Sequence, residues 1–155
     1  EGAKALANGE VTRAHYARYL VQIGKVSNDG QAFKRYLGGG KSCFVKAEWV
    51  DIPTAIETIH AAGGVAVIAH PMRYNMTGKW IRRLIVDFKQ WGGDGMEVAD
   101  SGQTKDQRQY LARLANEYDL AASLGSDFHF PCGWIELGKN LFLPEEVKPI
   151  WILFE

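Results

Sequence analysis

What this 155-residue sequence lacks narrows the field first. It has two cysteines, Cys43 and Cys132, far apart and outside any C-x-x-C spacing. That argues against a thiolate zinc site and against a disulfide framework, and points to two free thiols in a reduced, cytoplasmic protein. Formal net charge is zero, with 18 Lys and Arg against 18 Asp and Glu. No global basic field therefore points to nucleic acid, although a local cluster can still bind phosphates. No apolar run approaches the ~20 residues needed to cross a bilayer, so no membrane is implied. There is no signal-peptide pattern, no repeat and no low-complexity tract. The chain opens on Glu1 rather than Met, so further residues are expected upstream.

What is present falls into two parts. In residues 1–50, "VTRAHYARYLVQIG" sets Tyr16, Tyr19, Leu20 and Ile23 at helical spacing, with Thr12 as N-cap and Gly24 as stop. "DGQAFKRYLGGGKS" predicts a second short helix, closed by Gly38, Gly39 and Gly40. From residue 51 to 155 the rhythm changes. Asp51 or Thr54 caps a helix with Pro53 in its first turn and Ile56 and Ile59 facing inward. "VAVIAHP", "GMEVAD" and "LAASLGSD" read as strands, and "NLFLP" as a possible fourth. Between them lie a helix with a broad stripe (Trp80, Ile81, Leu84, Ile85, Phe88, Trp91) and one opened by the capping-box pair Thr104 and Gln107. Alternation of helix and strand with short links predicts an α/β fold with a parallel sheet.

The strand ends carry the chemistry. "VAVIAHP" ends in His70, "GMEVAD" carries Glu97 and ends in Asp100, and "LAASLGSD" ends in Asp127 with His129 two residues on. Parallel α/β sheets bind ligands beyond the carboxyl ends of their strands. Imidazole and carboxylate suit Zn, Mn or Fe. In extended chain, Asp127 and His129 would point to the same side. Each residue alone also has an ordinary structural role, as a core histidine, a loop cap or a solvated carboxylate. His60 lies in a helix away from these ends, and His15 sits on a helix beside Arg13 and Arg18, where Arg and His together can make an anion site.

In combination, "AHP" and "GSDFH" some 55 residues apart, with "GMEVAD" between them, resemble the C-terminal part of the PHP (polymerase and histidinol phosphatase) family. "VTRAHYARYL", "FKRYLGGGK" and "GGVAVIAHPMRY" are similar to its bacterial branch of 3',5'-nucleoside bisphosphate phosphatases and 5'-3' exoribonucleases. The resemblance implies the last βα units of a distorted (β/α)7 barrel in residues 51–155. Residues 1–50 would be a small helical insertion covering the substrate. It implies metal ligands at His70, Asp127 and His129, in a cluster of up to three divalent ions, Mn or else Zn or Fe. Phosphate contacts would fall at Arg13, His15 and Arg73, and less firmly at Lys41. No catalytic residue beyond the metal ligands is implied. The partner would be a nucleotide or short RNA; the resemblance leaves the oligomeric state open. The family's opening His-x-His is not found among the four histidines, so this chain alone is expected to bind metal weakly and turn nothing over.

Two other readings stand beside this one. A different (β/α)-barrel metal hydrolase, such as an amidohydrolase, shares His and Asp at strand ends but needs no anion pocket. A non-catalytic phosphate-binding module would keep the pocket and lose the metal.

Overall fold

The computed structural model describes residues 1–154 apart from Phe130, Cys132 and Trp134. The expected thiol at Cys132 lies outside the described residues; Cys43 is free and exposed. The chain divides into two compact units, Glu1–Trp49 and Val50–Glu155.

The first unit is helical: α1 (Gly2–Ala5), α2 (Arg13–Gln22), α3 (Asp29–Ala32) and a π-helical turn at Phe33–Leu37. Thr12 stands at the N-cap of α2, as its sequence predicts. Gly24 takes the left-handed conformation (φ +70°) that lets the amide of Lys25 reach back to the carbonyl of Leu20 at 2.9 Å. Asn28 caps α3, its Oδ1 accepting from the amide of Gln31 at 2.9 Å. Ala17, Val26, Ala32 and Leu37 form a small core, with Leu20 and Tyr36 packed against it.

The second unit alternates helix and strand. Asp51 caps α4 (Ile52–Ala61), accepting from the amide of Thr54 at 2.9 Å; the Thr54 side chain first, and then its amide, lower the Asp51 pKa from its ordinary value. Strands β1 (Val67–Ile68), β2 (Gly95–Asp100) and β3 (Ala121–Gly125) form one parallel sheet in the order β1-β2-β3. Helices α5 (Gly78–Gln90) and α6 (Lys105–Glu117) make the crossovers, which the parallel pairing requires. Thr104 and Gln107 cap α6 reciprocally. All six residues of β2 are buried, as befits the central strand of a covered sheet. Ile56, Ile68, Ile81, Ile85, Phe88, Met96, Val98, Leu111 and Leu114 belong to one core. The register shifts between Glu97 and Ala99, and such an irregularity re-aims side chains next to it.

Four details depart from the sequence reading. "NLFLP" is not a strand; Ala122 instead donates to the carbonyl of Lys148 at 2.7 Å and bridges to Pro149. Ile59, Trp80 and Trp91 are at least 38 % exposed, because the apolar stripe on each helix is wider than the face its neighbours cover. "VAVIAHP" contributes only two paired residues, since the backbone turns left-handed at His70 (φ 32°, ψ 57°). Asp127 is also left-handed (φ 53°), so the Asp-x-His run is not extended.

Candidate functional site

Three strand ends meet around one arginine. Arg73 follows β1 in the short turn Pro71–Arg73. Its Nη2 lies 2.6 Å from Oδ2 of Asp100 at the end of β2, and its Nη1 pairs with Oδ2 of Asp127 beyond β3. The Asp100 carboxylate is only 3 % exposed, and the approach to Oδ2 is close but off the line of a hydrogen bond. Its Oδ1 accepts from the amide of Gly102 at 2.7 Å. A guanidinium between two carboxylates neutralises charge that burial would otherwise penalise.

Glu97, on β2, ties the group to β1. Its Oε2 accepts from the amide of His70 at 2.6 Å. Desolvation pushes the Glu97 carboxyl above its ordinary pKa, the His70 amide opposes this, and nearby Asp100 adds to it. Gly125 on β3 makes room: a Cβ there would stand 2.5 Å from Oε1 of Glu97. Ser101 Oγ donates to the carbonyl of Ser126 at 3.2 Å and joins the loops after β2 and β3.

The histidines differ in which nitrogen is occupied. His70 has a buried Nδ1 with no hydrogen-bond partner among the described residues, and its ring stands edge-on to Tyr74, 5.8 Å between centroids. His129 Nδ1 lies 2.7 Å from the carbonyl of its neighbour Asp127. A carbonyl only accepts, so Nδ1 carries the proton and Nε2 keeps its lone pair, the tautomer a metal ligand needs. In the first unit His15 is the reverse. Its Nδ1 accepts from the amide of Thr12 at 3.0 Å, which puts the proton on Nε2, where it can donate to an anion.

Among the described residues, no three His, Cys, Asp or Glu side chains stand together as a metal-holding set. The donor chemistry still fits a divalent cation: the unpartnered His70 Nδ1, the free lone pair of His129 and the carboxylate of Asp127. His70 and Asp127 are two of the four non-glycine residues with positive φ among those described. Strain of this kind costs about 1–3 kcal/mol and gathers at functional sites.

The other expected contacts divide between the units. Arg73 stands at the strand ends and holds carboxylates. Arg13 and His15 belong to the first unit. Arg13 Nη2 donates to the carbonyl of Leu37 at 2.5 Å, with the guanidinium over Phe33 and Phe44. His60 pairs with Asp94 Oδ2 at 2.8 Å, just before β2 and so away from the strand ends.

Sequence reasoning missed Arg108. It is 5 % exposed on α6, reaches the carbonyls of Asp100 at 3.4 Å and Asn140 at 3.0 Å, and stacks on Phe142. Desolvation lowers its pKa from the ordinary arginine value, and Asp100 opposes the shift. The signal was there: Arg108 falls at i, i+3, i+4 and i+7 spacing with the buried Leu111, Ala112 and Ala115.

No protein-family model matches the chain. It is 82 % identical over 154 residues to a 5'-3' exoribonuclease of Haemophilus influenzae, covering 99 % of this chain and 56 % of that protein. It is 42 % identical over 142 residues to a 3',5'-nucleoside bisphosphate phosphatase of Chromobacterium violaceum, covering 91 % and 50 %. Among solved structures, an amidohydrolase from Chromobacterium violaceum with bound sulfate and no metal superposes with TM-score 0.83 at 40 % identity, over 97 % of this chain and 53 % of that one. A protein described as a metal-dependent phosphoesterase from Bifidobacterium adolescentis gives 0.73 at 28 %, over 98 % and 55 %. The chain spans about half the length of the relatives it matches. The motif resemblance and the α/β parallel fold are both borne out by these comparisons.

Proposed function

We propose that this chain, a homologue of bacterial exoribonucleases and nucleoside bisphosphate phosphatases, works in a metal-dependent phosphoesterase that hydrolyses phosphate esters of nucleotides or short RNA. The observation that carries the reading is Arg73 between the carboxylates of Asp100 and Asp127 at the ends of β2 and β3, with the carboxylate of Glu97 on the backbone amide of His70.

In this reading His70, Asp127 and His129 hold a divalent cation, with manganese the expected ion. Such an ion, when bound, polarises a phosphoryl oxygen and acidifies a water. The chain's own residues do the rest. Asp127 supplies the charge that favours a cation. The bond to the Asp127 carbonyl occupies His129 Nδ1 and leaves Nε2 as the nitrogen to hold the cation. Arg73, on a short turn, can exchange a carboxylate for a phosphate oxygen, since guanidinium binds both in the same forked geometry. His15 Nε2–H and the remaining donors of Arg13 are the other proposed phosphate contacts, and residues 1–50 the proposed substrate cover. A cytoplasmic setting fits a nucleotide or RNA substrate.

The test is Asp127→Asn in the full-length protein that carries this chain. The amide keeps the shape and removes the charge. Bound metal and kcat for phosphate release from a 3',5'-bisphosphate should both fall, by at least ~100-fold, more than losing a residue that merely supports a ligand costs. Full metal content and full rate would make Asp127 a loop residue only. The name of the sulfate-bound neighbour keeps the amidohydrolase reading alive. Failure of phosphorylated compounds to compete for the site would favour it.

A further inference from the structure

The first unit holds a basic cleft beyond the phosphate contacts proposed at Arg13 and His15. Residues 1–49 carry eight Lys and Arg (Lys4, Arg13, Arg18, Lys25, Lys34, Arg35, Lys41, Lys46) against four Asp and Glu, a side-chain charge of +4 in a chain that is neutral as a whole. Among the described residues none of the eight forms an ion pair; every pair lies in the second unit. Three of them, Lys34, Arg35 and Lys41, line one open cleft together with Gln31 and Tyr36.

Local structure explains why they gather. The π-helical turn closes with the amide of Gly38 on the carbonyl of Phe33 at 2.7 Å. A side chain at Gly38 would stand 2.6 Å from that oxygen, so only glycine fits. The chain then reverses through Gly39 and Gly40, the latter at φ +72°, and returns so that the amide of Cys43 meets the carbonyl of Tyr36 at 3.0 Å. The return brings Lys41 back beside the turn that carries Lys34 and Arg35. Cβ atoms added at Gly39 and Gly40 would meet nothing within 4 Å, so the loop stands open to a ligand. Tyr36, half-buried against the small core, offers a fixed aromatic at the rim.

We propose that this cleft binds the sugar-phosphate backbone of single-stranded RNA. Unpaired cations along an open groove track a polyanion, and an aromatic among them gives a base a face to stack on. A protein partner of acidic character would satisfy the charges but not the aromatic. The choice of RNA rests on the exoribonuclease reading; the cleft's affinity for a nucleic-acid backbone does not depend on hydrolysis.

The experiment measures binding of a fluorescein-labelled twelve-nucleotide oligouridylate to the full chain by anisotropy, with a chelator present so that no cleavage intervenes. The triple variant Lys34→Gln, Arg35→Gln, Lys41→Gln should lose about tenfold or more in affinity at low salt, and the slope of log affinity against log salt should fall by ~2, three charges at ~0.7 each. A charge-matched control, Lys4→Gln, Lys25→Gln, Lys46→Gln, should lose little. Lys41→Gln alone, on the exposed loop, should lower the slope by ~0.7 with its circular dichroism unchanged. Equal losses in both triple variants would assign the effect to overall charge and overturn the cleft. A polyglutamate peptide competing as well as RNA would overturn the ligand. Absence of RNA binding by the native chain, beside bisphosphate hydrolysis by the full-length protein, defeats only this inference; RNA binding lost in the triple variant, beside no hydrolysis by the full-length protein, defeats only the phosphoesterase reading.

Discussion

Among the described residues, the eight cations of residues 1–49 have no carboxylate partner, whereas in residues 50–155 Arg73, Arg82, Arg83, Lys89 and Lys139 each meet one. The second unit carries the compensating side-chain charge of −4. Their interiors differ as much. The first unit has four buried apolar residues in its core, two of them alanine. The second has fifteen, with a parallel sheet through the middle. In the larger unit Arg73 holds two carboxylates at the strand ends. The cations of the smaller one are exposed, where a ligand can reach them. A small core and exposed cations suit a piece that binds and adapts; a large core with a buried carboxylate, Asp100, at a strand end suits one that holds reactive groups still.

The widest gap expected from this contrast is in amide exchange. The amides of β2 should exchange only on global opening, those of α1 to α3 by local opening, with rates differing by ~100-fold or more. Matching protection across both units would mean that they unfold as one and would break the contrast. Next in size is Leu111→Ala, which removes a fully buried side chain from the larger core. It should cost about 3 kcal/mol, read from denaturant unfolding, with exchange in residues 1–49 unchanged.

Arg73→Met should have a smaller effect, about 1–3 kcal/mol at neutral pH, because the Asp127 side of the pair is partly solvated. Added Mn should raise the Tm of this variant more than that of the native chain, as a divalent cation takes over between the carboxylates. An equal Tm response in both would show that Asp100 and Asp127 do not face a common cation. The smallest effect is Glu97→Gln. The folded pKa of Glu97 lies above its unfolded value near 4.5. Its ionisation therefore costs stability that is intact at pH below 4.5 and is lost as pH rises through the folded pKa. The amide keeps the bond from His70 and carries no charge, so Tm should rise by ~2–4 °C at pH 7, the shift expected for about 1 kcal/mol, and by nothing near pH 4. No gain at pH 7 would mean that the carboxylate is better solvated than its burial implies.

The sequence by itself determined the α/β alternation, the helix starts at Thr12, Asp51 and Thr104, and the three strands, and it nominated the candidate site residues. Those signals are local: a cap bonds an amide three residues away, and an apolar period is written along the chain. It did not determine how far those faces are covered, which is why Ile59 and Trp80 emerge partly bare and "NLFLP" pairs with nothing as a strand. Nor could it say that Arg73 would lie between Asp100 and Asp127, or that Arg108 would be sealed beneath Asp100. It gave no sign that His70 and Asp127 would turn left-handed, ending the extended run that their spacing suggested. Those outcomes depend on residues 27 to 54 positions apart meeting at neighbouring strand ends. The parallel sheet decides which ends are neighbours, and only the packed fold removes the water that would otherwise have screened their charges.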